Sequence, residues 1–283
     1  MKEGNKMVAF LGMPDAVAFE IFGFEIRWYA LIITTGLMLG FWLILKRSGK
    51  YGINTDHLYD IFIFTVPSAI IGARAYYVFF EWDFYRLHPE KIIQIWNGGL
   101  AIHGAVFAGI AAVYFVCKHH KLKFLSTLDL MAPSLILGQA IGRWGNYFNM
   151  EAYGSETTLP WAITVIENGQ MINVHPTFLY ESVWNFMVFM VLMLIIERKK
   201  KFEGQTVCTY FIMYSLGRFF IEGLRTDSLY IMGLRTAQLV SLGLIALGIA
   251  GYIILGKRAA KMPLAEVAGE EVAEEEDGEE DQA

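Results

Sequence analysis

The sequence predicts an all-α polytopic membrane protein of seven transmembrane helices, with its N-terminus outside and its C-terminus in the cytoplasm. Three observations carry this. The 283 residues are 55% apolar and their mean hydropathy is positive. Seven apolar stretches each approach the roughly 20 residues that a helix needs to cross hydrocarbon. Basic residues collect at alternate ends of those stretches, as the positive-inside rule requires of cytoplasmic loops.

The spans fall near residues 28–45, 60–80, 99–117, 125–147, 176–196, 205–223 and 237–255. The mixed segment from Glu20 to Arg27 precedes the first, so no cleavable secretory signal is expected and span one stays in the chain. Lys46, Arg47 and Lys50 follow span one, and Lys118, Lys121 and Lys123 follow span three. Arg198 to Lys201 follow span five, and Lys257, Arg258 and Lys261 follow span seven. The loop from Asn149 to Val174 lacks Lys and Arg altogether and reads as an outer cap over about 149–175. Within it, Asn168-Gly169 lies between Trp161–Val165 and Met171–Val174, the signature of a tight β-hairpin. Gly36/Gly40 and Gly138/Gly142 have the small-residue spacing of closely packed membrane helices.

One transmembrane domain, 1–262, is therefore expected, followed by a tail. Residues 266–283 hold ten acids and no base, which exceeds the chain's net charge of −5, so the body is net basic. Such an aromatic-free acidic run, over 263–283, cannot bury a core and is expected to be disordered in the cytoplasm. Cys117 and Cys208 both fall near inner span ends, so no structural disulfide is expected. No cysteine–histidine cluster at metal spacing appears, and neither a metal nor an organic cofactor nor a nucleic acid is implied.

The chemistry concentrates in Gly142–Gly154 (GRWGNYFNMEAYG), where Arg143, Asn146, Asn149 and Glu151 crowd the outer end of span four. An arginine at the centre of a membrane helix costs about 2.5–3.5 kcal/mol even on lenient scales, so such groups persist where they are used. With the topology above, Tyr29, Arg74, His103, Arg143, Asn146, Glu151, His175, Tyr180, Glu181, Arg218, Glu222, Arg225 and Gln238 all fall in the outer half of the membrane. Arg218, Glu222 and Arg225 share one helix face, as do Arg143 and Asn146. Two cationic faces at headgroup depth suit a lipid phosphate, because guanidinium matches phosphate in a fork.

Plainer readings stand beside these. Arg218–Glu222 is equally an i,i+4 ion pair, and Arg74 beside Tyr76 and Tyr77 reads as a snorkelling side chain. Tyr29 is either an interfacial anchor or a donor to substrate. His175 reads as a helix-start cap, Glu181 as a brace for backbone or arginine, and Gln238 as a helix–helix hydrogen bond. His103 lies between Gly98, Gly99 and Gly104, which allow close approach, and a buried imidazole there can take a proton near neutrality.

GRWGNYFNMEAYG, WNGGLAIHGAVFAG, VHPTFLYES and GRFFIEGLRTDSLY, in this order, resemble bacterial prolipoprotein diacylglyceryl transferases, as do IFGFEIRWYAL and IGARAYYVFF. The resemblance runs from about residue 18 to 245, departing locally at Ala105 and Phe178. It implies transfer of the diacylglyceryl group of phosphatidylglycerol to the lipobox cysteine thiol of a preprolipoprotein, in a bacterial plasma membrane. Against that chemistry, Arg143 and Arg218 would hold the phosphate, and Asn146 and Tyr29 would position the headgroup. His103 would either take the thiol proton or orient the phosphate. Glu151 would orient Arg143, Arg225 would make a second contact or gate, and Gly154 would permit a turn.

Two other functions compete. A transporter should carry polar groups through both halves of its spans, yet the inner halves hold little beyond Asp60 and Asp129. A lipid receptor without turnover would keep the arginines and have no need of His103.

Overall fold

A computed structural model describes residues 14–231 and 233–261; the acidic tail lies outside the described residues. Among the described residues are eight α-helices: α1 (Trp28–Arg47), α2 (Thr55–Phe80), the short α3 (Trp82–Tyr85), α4 (Ile102–His119), α5 (Phe124–Phe148), α6 (Thr177–Val191), α7 (Gln205–Glu222) and α8 (Thr236–Lys261). All seven expected spans are helical. Six are long and apolar enough to cross a membrane, α6 counting with the π turn Leu192–Ile196 that closes it. α7 is the exception: it has the length, but Arg218 and Glu222 and its polar first turn lower its hydropathy. Large apolar side chains such as Trp42, Ile63, Phe64, Ile71, Phe107, Phe115, Phe186 and Leu247 stand exposed on the helices. Water would penalise such surfaces and hydrocarbon would not.

The described residues form two compact units, one of residues 33–138 and the other of the residues before Ile33 with those from Gln139 onward. In the first unit, Ile53, Leu58, Ile61, Val113, Val116, Cys117 and Leu130 make a buried core. α2 and α4 cross where glycine meets glycine: a Cβ on Gly104 would lie 2.2 Å from the Gly72 carbonyl oxygen, and one on Gly72 would lie 2.6 Å from that of Gly104. α1 and α5 approach through Gly40, whose Cβ would lie 3.3 Å from the Ser134 carbonyl oxygen, as the small-residue spacing predicts. Arg47 is buried here and donates to the Leu130 carbonyl at 2.8 Å.

Arg74 does not snorkel. It is 7% exposed, and its guanidinium donates to the carbonyls of Lys91, Ile92, Gly98 and Gly99 at 2.6–2.9 Å. The loop between α3 and α4 turns through positive φ at Gly98 and Gly99, which aims its carbonyls at one cation. A charge paired with four oxygens inside the protein has no reason to reach for water.

The second unit holds three hairpins, of which the sequence showed only one. β3 (Ile163–Glu167) and β4 (Gln170–Val174) pair antiparallel, with Asn168 (φ 51°) and Gly169 (φ 77°) both left-handed in the two-residue turn. β1 (Val17–Ile21) and β2 (Phe24–Arg27) turn at Phe22-Gly23, and β5 (Tyr230–Ile231) pairs with β6 (Leu234–Arg235). Ile163, Val165 and Val174 of the cap bury against Phe178 of α6, with Tyr147 of α5 packed alongside. That contact anchors the cap to the two helices carrying the polar cluster.

Candidate active site

Three close approaches assemble the cluster in the second unit. Gly217 on α7 admits the Trp184 indole of α6, and a Cβ there would fall 2.1 Å from Nε1, which donates to the Met213 carbonyl. This brings Arg218 against α6 one turn before Trp184, at Glu181. Gly145 on α5 receives the Tyr29 ring, and a Cβ there would lie 2.7 Å from Cδ2. Trp28 stacks on Phe148 at 5.2 Å between centroids, so the entry to α1 is pinned to the end of α5. Gly154 packs between chains of backbone: a Cβ would meet the His175 Cβ at 2.8 Å and the Leu224 carbonyl oxygen at 2.9 Å.

Glu181 is the hub. Its side chain is 3% exposed and both oxygens are engaged: Arg218 Nη1 donates to Oε1 at 2.8 Å, and Arg143 Nε stands 3.0 Å from Oε2. Arg218 Nη2 approaches Glu222 Oε2 at 2.5 Å, an ion contact without hydrogen-bond alignment, since that buried oxygen receives no hydrogen bond. Arg235, from β6, donates to the Glu222 carbonyl, and Gln238 donates to that of Phe219. Arg143 Nη1 reaches Asn146 Oδ1 at 3.3 Å, and Asn146 Nδ2 donates to Glu151 Oε1 at 2.9 Å. Asn149 donates to the same Glu151 oxygen at 3.2 Å.

The result is two guanidiniums sharing one buried carboxylate, with their formal charge balanced by Glu181 and Glu222. Arg143 is the more open of the two, its side chain 23% exposed against 16% for Arg218. An anion with several oxygens can engage such a pair by replacing or extending the carboxylate contacts, with Asn146 as a neighbouring donor.

The model of the family described as prolipoprotein diacylglyceryl transferase matches residues 16–254. The chain belongs to this family. Phosphatidylglycerol–prolipoprotein diacylglyceryl transferase of Finegoldia magna is 49% identical over 247 residues, spanning 87% of this chain and 98% of its own length. The protein of the same name from Clostridium novyi is 49% identical over 241 residues, 83% of this chain and 93% of its own. That of Synechocystis is 45% identical over 253 residues, 86% of this chain and 89% of its own. The matched residues include the whole polar cluster, the three hairpins and α4.

Within that frame, Tyr29, Arg143, Asn146, Glu151, Gly154, Arg218, Glu222 and Arg225 all belong to the second unit, while His103 is on α4 in the first. Glu181 braces both arginines and Glu222 pairs with Arg218, as two of the plainer readings expected. Other expectations need correction. Glu151 does not hold Arg143 directly; it holds Asn146 and Asn149, and Glu181 does the orienting. Arg225 forks onto Asp227, with Nε to Oδ1 at 2.9 Å and Nη2 to Oδ2 at 2.7 Å. This bidentate bond holds the Asp227 carboxyl below its ordinary pKa. Gly154 was expected to permit a turn; the positive φ values of this segment are at Met150 and Ala152, and the space without a Cβ is what Gly154 supplies.

His103 is exposed, not buried, with the Tyr76 ring 5.9 Å away between centroids. His175 does not cap α6: its Nδ1 meets the Tyr180 hydroxyl at 3.2 Å, and Trp161 Nε1 donates to that hydroxyl at 2.9 Å. The Tyr153 hydroxyl nearby is pushed up in pKa by burial first, then by Glu167 and Asp227. Glu181 braces arginine, as its place in the sequence suggested. Its central position shows once α5, α6 and α7 are packed together, although an intramembrane carboxylate in VHPTFLYES was already a signal.

Proposed function

We propose that the chain transfers the diacylglyceryl group of phosphatidylglycerol to the lipobox cysteine thiol of a preprolipoprotein, at the cluster around Glu181. The thiolate sulfur attacks the glyceryl carbon that bears the phosphate. A C–S thioether bond forms, the C–O bond to phosphate breaks, and glycerol phosphate leaves with the electron pair. The thiol proton goes to a base and then to the leaving group, so the reaction balances without a redox partner. Family membership supports diacylglyceryl transfer, and the names of the relatives give phosphatidylglycerol and prolipoprotein as substrates.

The observation that carries the reading is the pair of guanidiniums on one buried carboxylate. Arg143 and Arg218 hold the phosphate and offset charge growing on the departing oxygen, and donors already oriented by Glu181 need no reorganisation at that moment. Asn146 and Tyr29 position the headgroup, and Glu151 orients Asn146. Glu222 and Gly154 hold the frame of the site, and Arg225 remains a second contact for passing substrate. His103 takes the thiol proton, on the strength of its imidazole and its motif. The topology proposed for this work is seven spans in the bacterial plasma membrane, N-terminus outside, with Lys46, Arg47, Lys118, Lys121, Lys123, Arg198 and Lys257 on the cytoplasmic side.

The test supplies purified protein with phosphatidylglycerol and a lipobox peptide, and reads thioether-linked diacylglyceryl peptide by mass spectrometry. Turnover is expected, and Arg143→Ala and His103→Gln should abolish it while the protein still folds. A folded protein that forms no thioether product overturns the function. Near-wild-type rates in His103→Gln would remove that residue from the proton step.

A further inference from the structure

His57, Asp60 and His120 have no role in the transfer reaction proposed above. His57 and Asp60 are in the first two turns of α2, at i and i+3, so they share a face. His120 is the residue that ends α4, its N–H bonded to the Val116 carbonyl. The two imidazole rings are 4.2 Å apart between centroids and tilted by 31°. His120 Nε2 stands 2.8 Å from Asp60 Oδ2, and one ligand atom from each of the three residues lies within 4.8 Å of the other two. All three are partly buried, neither sealed from an ion nor fully free to rotate. All belong to the first unit, where the adjacent core of Leu58, Ile61, Val116 and Cys117 fixes both helix ends.

We propose that His57, Asp60 and His120 bind one divalent transition-metal ion of the zinc type, clamping the start of α2 to the end of α4. Two imidazoles with one carboxylate form a donor set suited to Zn²⁺, and a water fills the fourth position. Metal–ligand bonds of about 2.0–2.1 Å put tetrahedral ligand atoms roughly 3.4 Å apart. The close His120–Asp60 pair must therefore open by about half an ångström, and no other pair, all lying within 4.8 Å, needs to close by more than about 1.4 Å. Side-chain rotation supplies both movements without shifting a helix. A hydrogen-bonded His–Asp pair alone would explain His120 and Asp60. It would leave unexplained a second imidazole, His57, presented to the same point from the face of α2 that carries Asp60. The ligands are remote in sequence, so no spacing motif marks the site.

The experiment uses tag-free protein in detergent, stripped with chelator and dialysed. Zn²⁺ is titrated by calorimetry, and Co²⁺ by its visible d–d absorption. One ion per chain is expected, with micromolar or tighter affinity, the intense bands of tetrahedral cobalt, and a rise of several degrees in Tm. His120→Gln retains a donor for Asp60 and removes the metal ligand, and His57→Gln removes the second imidazole. Each should weaken binding by about a hundredfold while leaving the metal-free Tm and the transfer rate unchanged. Absence of a saturable one-to-one isotherm in folded protein, or wild-type affinity in both variants, overturns the proposal.

Discussion

Replacing Glu181 with Gln tests the hub directly. In the wild-type protein one carboxylate accepts from two guanidiniums, at 2.8 Å from Arg218 and 3.0 Å from Arg143, with only 3% of the side chain exposed. Glutamine keeps one acceptor oxygen and turns an NH2 group toward the other arginine, placing donor against donor. Each charge-assisted bond contributes about 1.5–3 kcal/mol, and breaking a buried ion pair from one side costs about 3–5 kcal/mol. A loss near 3 kcal/mol is therefore expected. If that energy serves to orient Arg143 and Arg218 for the phosphate, it corresponds to roughly a hundredfold in rate at 1.36 kcal/mol per decade. The assay is turnover of a lipobox peptide at varied phosphatidylglycerol, beside a thermal melt in detergent. The fall should appear in kcat as well as KM, since the developing charge is what the arginines meet. Glu181→Asp, one methylene shorter, should recover only part of it, because it cannot reach both cations. A Glu181→Gln protein with wild-type kcat would refute the claim that Glu181 organises the site.

Three further outcomes follow from the geometry. Gly217→Val drives a side chain into the Trp184 indole, so α6 and α7 must separate; a stability loss of about 1–3 kcal/mol is expected, with turnover falling as Arg218 leaves Glu181. Gly169→Val strains a left-handed turn that has open space around it, so the melt should drop by roughly 1 kcal/mol with turnover retained. Asp227 titrates below its ordinary value because Arg225 forks onto it, so its stabilising contribution is complete above the unfolded carboxylate pKa. That contribution fades as pH falls from the unfolded value through the lowered folded one, and Asp227→Asn should flatten acid unfolding in that window. An acid limb identical in wild type and Asp227→Asn would refute it.

Long apolar runs are legible one residue at a time: all seven expected spans are helical, with ends within about six residues of those expected. The hairpin at Asn168-Gly169 was equally local, because both turn residues must adopt positive φ and those residue types do so most cheaply. The hairpins at Phe22-Gly23 and Gly233 were missed, since a turn at phenylalanine carries no ordinary signal. For the site, sequence supplied the residues and their faces. Spacing placed Arg218 and Glu222 on one helix face, where an ion pair was one of two readings, and the two side chains do meet.

What the chain determined by itself was its affinity for a membrane, its helices, and a set of expensive polar groups that required a use. Which of those groups meet was decided by tertiary structure. Glu181 lies between two arginines only because Gly217 lets α7 close on Trp184, and Arg74 is captured because Gly98 and Gly99 turn their carbonyls inward. His57 and His120 face one another because the core of Leu58, Ile61, Val116 and Cys117 packs the start of α2 against the end of α4. The first two depend on backbone approaches that glycines permit and the third on core packing, and none exists until the partner surface is present.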